Sequence, residues 1–367
     1  SVSNIQNNYL YCSKLFLCSM WLFIILSLMS ILLLGYAAIL LLYRKWFLQL
    51  TPFVKPAAIK SATTFTIIIP ARNEGLYIGD CLHSIIQQNY PPHLFEVIVI
   101  DDHSTDNTSE IVLQLSQQFN NVKLIILADE LNGQILNSYK KKAIENAIGH
   151  ATGEWIITTD ADCIAPENWL SNFDACIQLN NPVLVAAPVQ YTEDGSLLQT
   201  FQALDFMVMQ GVTFASVHAG FHNMCNGANL AYMKAAFFEV NGFRDIDDIA
   251  SGDDMLLMNK FKKAYPNNIS VLFSDESIVT THPMPSWKTF FNQRIRWASK
   301  AEKFKSKDQK VFGVLVLVYC LNVILFIMPF TALLFPIHWL YWFLLLSIKT
   351  KIVYSIHYAT LRNENVN

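Results

Sequence analysis

Apolar positions along the chain fall into three regimes. Residues 15 to 43, LFLCSMWLFIILSLMSILLLGYAAILLLY, form an apolar run with no charge in it. Such a run is long enough to cross a bilayer core of ~30 Å, even when tilted. Residues 61 to 190 alternate instead: the short apolar runs FTIIIPA (65 to 71), FEVIVIDD (95 to 102), VKLIIL (122 to 127), WIITTDAD (155 to 162) and VLVAAPV (183 to 189) are separated by helical stretches. Strands that are apolar on both faces and joined by helices predict an α/β domain, a mostly parallel sheet with helices on both faces. The third regime, 311 to 348, again lacks Asp, Glu, Lys and Arg, and Pro329 and Pro336 interrupt it near its middle. It predicts two membrane spans joined by a tight turn.

Composition strengthens the membrane reading. The 367 residues are 53% hydrophobic and only 15% charged, with a mean hydropathy of +0.30. A cleavable signal peptide would have a shorter apolar core and a small-residue cleavage site, which the first run lacks. Arg44, Lys45, Lys55 and Lys60 follow that run, Lys300, Lys303, Lys305, Lys307 and Lys310 precede the last regime, and Lys349 and Lys351 follow it. The positive-inside rule then puts all these flanks, and residues 44 to 310, in the cytoplasm, and the N-terminus outside. The expected location is a cell (inner) membrane, multi-pass. A net charge of −3 makes no case for nucleic acid. Seven cysteines without a C-x-x-C pair predict neither structural zinc nor a disulfide framework.

Candidate chemistry lies where the strands end, because parallel sheets bind ligands at their carboxyl edge. The first strand runs into Arg72, Asn73 and Glu74, and the second into Asp101, Asp102, Ser104, Thr105 and Asp106. The fourth ends in Asp160 and Asp162. Side chains two apart in an extended segment point the same way, so these two acids face one space. Each cluster alone is also explained by turn and capping chemistry. Three acidic strand ends on one edge, however, crowd like charges that a cation would relieve. No G-x-G-x-x-G follows the first strand and no G-x-x-x-x-G-K-[ST] occurs, which excludes dinucleotide oxidoreductases and P-loop hydrolases.

Taken in order, these motifs resemble those of family 2 glycosyltransferases, inverting enzymes of GT-A fold, especially the membrane-bound branch of cellulose, hyaluronan and chitin synthases. The resemblance covers about 61 to 300. It implies that Pro70, Arg72, Glu74, Asp101, Asp102, Lys140 and Asp160 bind the nucleotide sugar, with Lys140 neutralising diphosphate. Lys140 to Lys142 would otherwise be a solvated basic helix face. Asp162, with Asp160, would hold Mg²⁺ or Mn²⁺. Downstream, CNGANLAYM (225 to 233) places Asn226 and Gly227 on the acceptor and diphosphate side. Relatives carry Glu-Asp before the next apolar helix. This chain has Gly252-Asp253-Asp254, so Asp254 is expected as general base with Asp253 as its partner. FFNQRIRWASK (290 to 300) matches Q-x-x-R-W with Gln293, Arg296 and Trp297 on one helix face, Arg296 for phosphate and Trp297 for the acceptor. A structural role is expected for His282.

The expected organisation is an N-terminal transmembrane segment (1–47), a linker (48–62), a cytoplasmic catalytic domain (63–285), an interfacial amphipathic helix (286–308), and two C-terminal transmembrane helices with a tail (309–367). The expected activity moves a sugar, from a UDP-sugar by preference, to a lipid or glycan acceptor at the membrane. A processive polysaccharide synthase is the competing enzyme; with about two spans after the catalytic segment, single addition is favoured. A non-catalytic nucleotide-sugar-binding scaffold is the competitor from another class.

Overall fold

The computed structural model describes residues 2–131, 139–192, 195–221, 224–246, 252–298, 309–332, 339–340, 342–348 and 350–351. The chain forms two compact units, one of Ser1–Lys45 with Asp308–Asn367 and one of Trp46–Lys307.

The described residues of the first unit are helical. Helix α1 (Val2–Phe47) contains the whole expected first span. Among the described residues, two stretches are long and apolar enough to cross a membrane: Ser27–Phe47, and Phe312–Phe330 within a later helix, Gln309–Ala332. Pro329 lies inside that later helix and does not end it. A proline has no N–H to give to the carbonyl four residues back, and the Leu325 carbonyl so released accepts the Trp342 indole N–H at 2.8 Å. The turn expected around Pro336 lies outside the described residues. The expected last span is described only in part, with residues 342–348 helical.

The second unit is built on a sheet with strands β1 (Phe65–Ala71), β2 (Phe95–Asp101), β3 (Val122–Ile126), β4 (Trp155–Thr158), β5 (Leu184–Ala186), β7 (Leu230–Met233) and β8 (Ile269–Val271), in the order β3-β2-β1-β4-β7-β5-β8. Strands β1 to β4 are mutually parallel, β5 pairs parallel with β8, and only β7 runs antiparallel to its neighbours. Ile67, Ile68, Ile69, Val97, Ile98 and Val99 are fully buried, as continuous apolar runs in a covered sheet require. Each contributes about 1.5–3 kcal/mol relative to exposure. Helices α2 (Ile78–Ile86), α3 (Thr108–Gln118), α4 (Leu127–Leu131), α5 (Tyr139–His150), α6 (Trp169–Asn180), α7 (Leu197–His218), α8 (Lys234–Glu239), α9 (Asp253–Ala264) and α10 (Trp287–Ala298) complete the unit.

Two features differ from the sequence pattern. The run 183–189 is not one strand. It ends at Ala186, and Val189 opens β6 (Val189–Tyr191), which pairs with β9 (Val279–Thr281) in a separate two-stranded sheet. Pro188 marks the break, since it cannot donate to a ladder; its carbonyl instead accepts from the Val279 N–H at 3.1 Å and from Asn229 Nδ2 at 2.7 Å. The second feature is β7 itself, four residues inserted antiparallel between β4 and β5. Its pairing of Leu230 with Thr158 brings Asn226 and Gly227 to the carboxyl edge of the sheet.

Candidate active site

Because β1, β2 and β4 are parallel and in register, with Ala71 beside Asp101 and Ile68 beside Thr158, their ends share one edge. Between β1 and β2 the chain builds a cross-braced pair of turns. Asn73 (φ 57°) and His103 (φ 60°) are left-handed, which an asparagine tolerates better than most residues. The Asn73 N–H donates to Ser104 Oγ at 3.0 Å, while its Oδ1 accepts from the Thr105 N–H at 2.8 Å. The Gly75 N–H donates to Asp106 Oδ2 at 3.0 Å, and a Cβ on Gly75 would come within 2.0 Å of Asn107 Oδ1. Asp101, only 4% exposed, accepts from the Ser104 N–H at 2.9 Å and from the Ser109 hydroxyl, so it is committed to the turn. Asp102 faces Arg72 at 3.7 Å and His103 Nδ1 at 2.9 Å.

β4 stops at Thr158 and the chain turns at Ala161-Asp162, with the Cys163 N–H donating to the Asp160 carbonyl at 3.1 Å. Asp160 and Asp162 are therefore not alternate residues of one strand facing a single space, as the sequence led one to expect. Asp160 is half-buried and pairs with Lys140 at the start of α5, Nζ to Oδ1 at 2.7 Å. The neighbouring Lys141 turns inward: it is 2% exposed and donates to the Ile246 carbonyl at 2.6 Å. Lys142 pairs with Glu145 at 3.0 Å. The three lysines therefore do not form the solvated face considered above. Thr158 donates to the Gly227 carbonyl at 2.7 Å, and the Gly227 N–H donates to Asp254 Oδ2 at 3.0 Å. Asp254 Oδ1 accepts the Met255 N–H at 2.8 Å. Asp254 sits in the first turn of α9, whose preceding residue Gly252 takes φ 83°, a conformation that favours glycine. Pro70, Lys140, Asp160, Gly227 and Asp254 line one shallow recess, open to solvent. Asp253 opens α9, and its side chain lies outside the described residues. Asn226 caps the turn beside it, its Oδ1 accepting from the Ala228 N–H at 3.1 Å.

Asp162 points toward β9, where Thr281 Oγ1 donates to its Oδ2 at 3.0 Å. Burial and the charge of Asp160 push its carboxyl above the usual range. Burial, then the charges of Asp162, Asp160 and Asp106, push Glu74 up to about 7, against the opposing charge of Lys140. Acids from β1 and β4 are thus close enough to disfavour one another's ionisation. No group of three or more metal-ligating side chains is assembled among the described residues. Two hard carboxylates fit Mg²⁺ or Mn²⁺, which is commonly held by one or two carboxylates with substrate phosphates completing the shell. Asp162 and Asp160 would hold such an ion; when bound it supplies Lewis-acid neutralisation of a leaving diphosphate.

On α10 the inward face is not the one the motif suggests. Gln293 and Trp297 turn in, together with Phe290 and Arg294, while Arg296 is exposed. Trp297 packs against the core of the sheet. Arg294 lies over both Phe290, 4.8 Å from the ring centre, and Trp297, at 4.3 Å, and pairs with Asp205 of α7 at 2.6 Å. His282 stacks on Tyr77 with ring centres 4.6 Å apart. Thr281, Lys141, Asp205 and Arg294 were not among the expected site residues. Of these, only Asp205 lay outside every stretch singled out in the sequence.

A recess lined by acids and a lysine at the carboxyl edge of such a sheet is where an open α/β fold takes its ligand. The model described as Glycosyl transferase family 2 matches residues 66–224, and that described as Glycosyl transferase family group 2 matches 155–361. Glycosyltransferase AglE of Haloferax volcanii is 30% identical over 233 residues, 63% of this chain and 70% of that one. A probable glycosyltransferase of Bacillus subtilis, YdaM, is 23% identical over 248 residues, 65% of this chain and 56% of its own length. Poly-beta-1,6-N-acetyl-D-glucosamine synthase of Staphylococcus epidermidis is 26% identical over 278 residues, 72% of this chain and 61% of that one. The chain thus spans little more than half the length of the last two. Among solved structures, mannosyltransferase PcManGT from Pyrobaculum calidifontis, in complex with GDP-Man and Mn²⁺, superposes with a TM-score of 0.62, over 92% of this chain and 98% of that one, at 20% identity. That likeness shows the fold, GT-A. The chain belongs to glycosyltransferase family 2 and is a glycosyltransferase.

Proposed function

We propose that the chain transfers a sugar from a nucleoside-diphosphate donor, UDP-linked by preference, to a hydroxyl of a lipid-linked or membrane-proximal acceptor, in one inverting step. The observation that carries this reading is the recess in which Asp254, oriented by the Gly227 N–H, shares walls with Asp160 and Lys140. An acceptor hydroxyl seated there gives its proton to Asp254 as its oxygen bonds to the anomeric carbon. The bond from that carbon to the diphosphate breaks, and the diphosphate leaves with the electron pair. Lys140 and the Asp160–Asp162 pair, with a divalent cation, serve the leaving group. Asp102, Arg72 and the braced turns of Asn73 and Ser104 serve the nucleoside.

Several features support a membrane setting. Only 28% and 17% of the two apolar stretches are buried within the chain, which leaves most of their apolar surface for lipid. The Trp342 to Leu325 bond ties residues 342–348 to the preceding helix, as a pair of C-terminal spans would require. Within the catalytic unit, Leu197, Phe201 and Leu204 of α7 and Trp287, Phe291 and Ile295 of α10 are exposed, and Phe201 and Trp287 touch with ring centres 5.7 Å apart. Such an exposed apolar face suits the headgroup boundary. The test is incubation of membranes containing the chain with a panel of nucleotide sugars and Mn²⁺, followed by mass spectrometry of the products. A single added sugar on a membrane component that disappears with Asp254→Asn supports the proposal. A ladder of products points to a polymer synthase, and equal transfer by Asp254→Asn rejects the assignment of the base.

A further inference from the structure

Arg294, the third residue of the N-Q-R-I-R-W stretch, has no role in the motif reading, yet it is the arginine that α10 turns inward. Arg294 has a side chain only 20% exposed, pairs with Asp205 across 89 positions of sequence, and is covered by two aromatic rings. Its Nε and Nη1 are buried without a hydrogen-bond partner among the described residues, as is Oε1 of Gln293 beside it. A buried guanidinium left partly unpaired is an expensive arrangement that a purely structural helix contact would avoid.

The cluster is wired to the acids at the end of β4. Gln293 and Arg294 both act on Tyr191, which also feels the charge of Asp162. Tyr191 stands opposite Thr281 in the β6–β9 pair, and Thr281 donates to Asp162. Packing runs the same way, since Phe206 of α7 contacts both Tyr191, at 4.6 Å between ring centres, and Trp297, at 6.4 Å. Gln202 of α7 adds two bonds to Met284, at 3.0 and 2.9 Å, which hold the segment leading into α10.

We infer that Arg294 is a positioning residue of the transfer site: clamped by Asp205 and laid against Phe290 and Trp297, it sets where α10 holds Gln293 and Trp297 against the Tyr191–Thr281 pair that carries Asp162. The contact works as a unit. Removing either charge releases the indole, and removing both does no further harm. Lysine does not replace arginine here, because a compact ammonium cannot lie flat on two rings while keeping its carboxylate.

The test compares full-length Arg294→Gln, Arg294→Lys, Asp205→Asn and the Arg294→Gln/Asp205→Asn pair, in membranes or detergent. Transfer is measured with whichever nucleotide sugar the unaltered chain uses. The thermal midpoint and acrylamide quenching are measured without any donor. The quenching due to Trp297 is the difference between each variant and the same variant carrying Trp297→Phe. The expected result is a kcat at least tenfold lower in each single variant, a donor KM within threefold, a double variant no worse than the poorer single, and a Trp297 that becomes more accessible. Unchanged Trp297 quenching, kcat retained despite a lower thermal midpoint, or losses that multiply in the double variant would each overturn the inference. Should Arg294→Gln fail to fold, Asp205→Asn carries the same comparison. Lack of transfer by the unaltered chain would count against the proposed donors alone, since quenching reads the clamp without them.

Discussion

Asp101-Asp102 and Asp160-Ala161-Asp162 lie at or just past the ends of β2 and β4, which flank β1 on either side, yet the fold uses the two acidic pairs in opposite ways. Asp101 accepts from a backbone N–H and a hydroxyl at once, and the turns around it are braced by Asn73, Ser104, Asp106 and Thr108. Asp160 and Asp162 have one close polar partner each from a distant element, Lys140 and Thr281, and their charges oppose each other and Glu74. Saturated acids shape a pocket; underpaired acids at its rim are available for a ligand that brings positive charge. The difference separates scaffold from chemistry within one motif set.

That contrast can be broken by mutation, and the largest effect belongs to the recess. Asp254→Asn is expected to lower kcat by about 10²–10⁴-fold, the span of general base catalysis, with donor binding nearly unchanged, as read by steady-state transfer and calorimetric titration. Next comes the rim: Asp162→Asn, or removal of divalent ions by chelation, is expected to lower transfer by about 10²-fold or more, through the lost neutralisation of the leaving group. Transfer that persists in excess chelator would contradict it. Asp101→Ala should act on the other side of the comparison, lowering stability by about 1–3 kcal/mol because the turn donors lose their acceptor; the thermal midpoint reports it.

The smallest effect concerns pH. Burial tends to raise the pKa of Glu96, but hydrogen bonds from Lys123, Thr152 and Thr66 outweigh it and hold the carboxyl at about 2. A free glutamate titrates near ~4.3, so this network contributes stability above that value and loses it as pH falls toward 2. Glu96→Gln should lower the midpoint at neutral pH and flatten the fall between pH 5 and pH 2, with little effect on kcat.

Much of this arrangement was legible in the chain. Uniform β-branched runs such as TIII and VIVI identify covered parallel strands, and acids at their ends follow from the direction of the sheet. What escaped had local causes. β7 is four residues long and lies inside a run read for its Asn-Gly pair, so no periodicity marked it. The break between β5 and β6 shows only as Pro188 within an apolar run. Lys141 looks like its neighbours in sequence, and only the packing of α5 against the Ile246 carbonyl makes it an interior cation. On α10, spacing alone allows either Arg294 or Arg296 to share a face with Trp297. Asp205, 89 residues upstream on α7, decides for Arg294.

The contrast between scaffold acids and reacting acids is tested most directly by measuring kcat and thermal midpoint together for Asp254→Asn and Asp101→Asn in the same membranes. The expected contrast is in kcat: it falls by about 10² or more for Asp254→Asn, whereas Asp101→Asn lowers the midpoint and keeps most of kcat. Equal transfer by Asp254→Asn and the unaltered chain, or a parallel loss of both quantities in both variants, would contradict it.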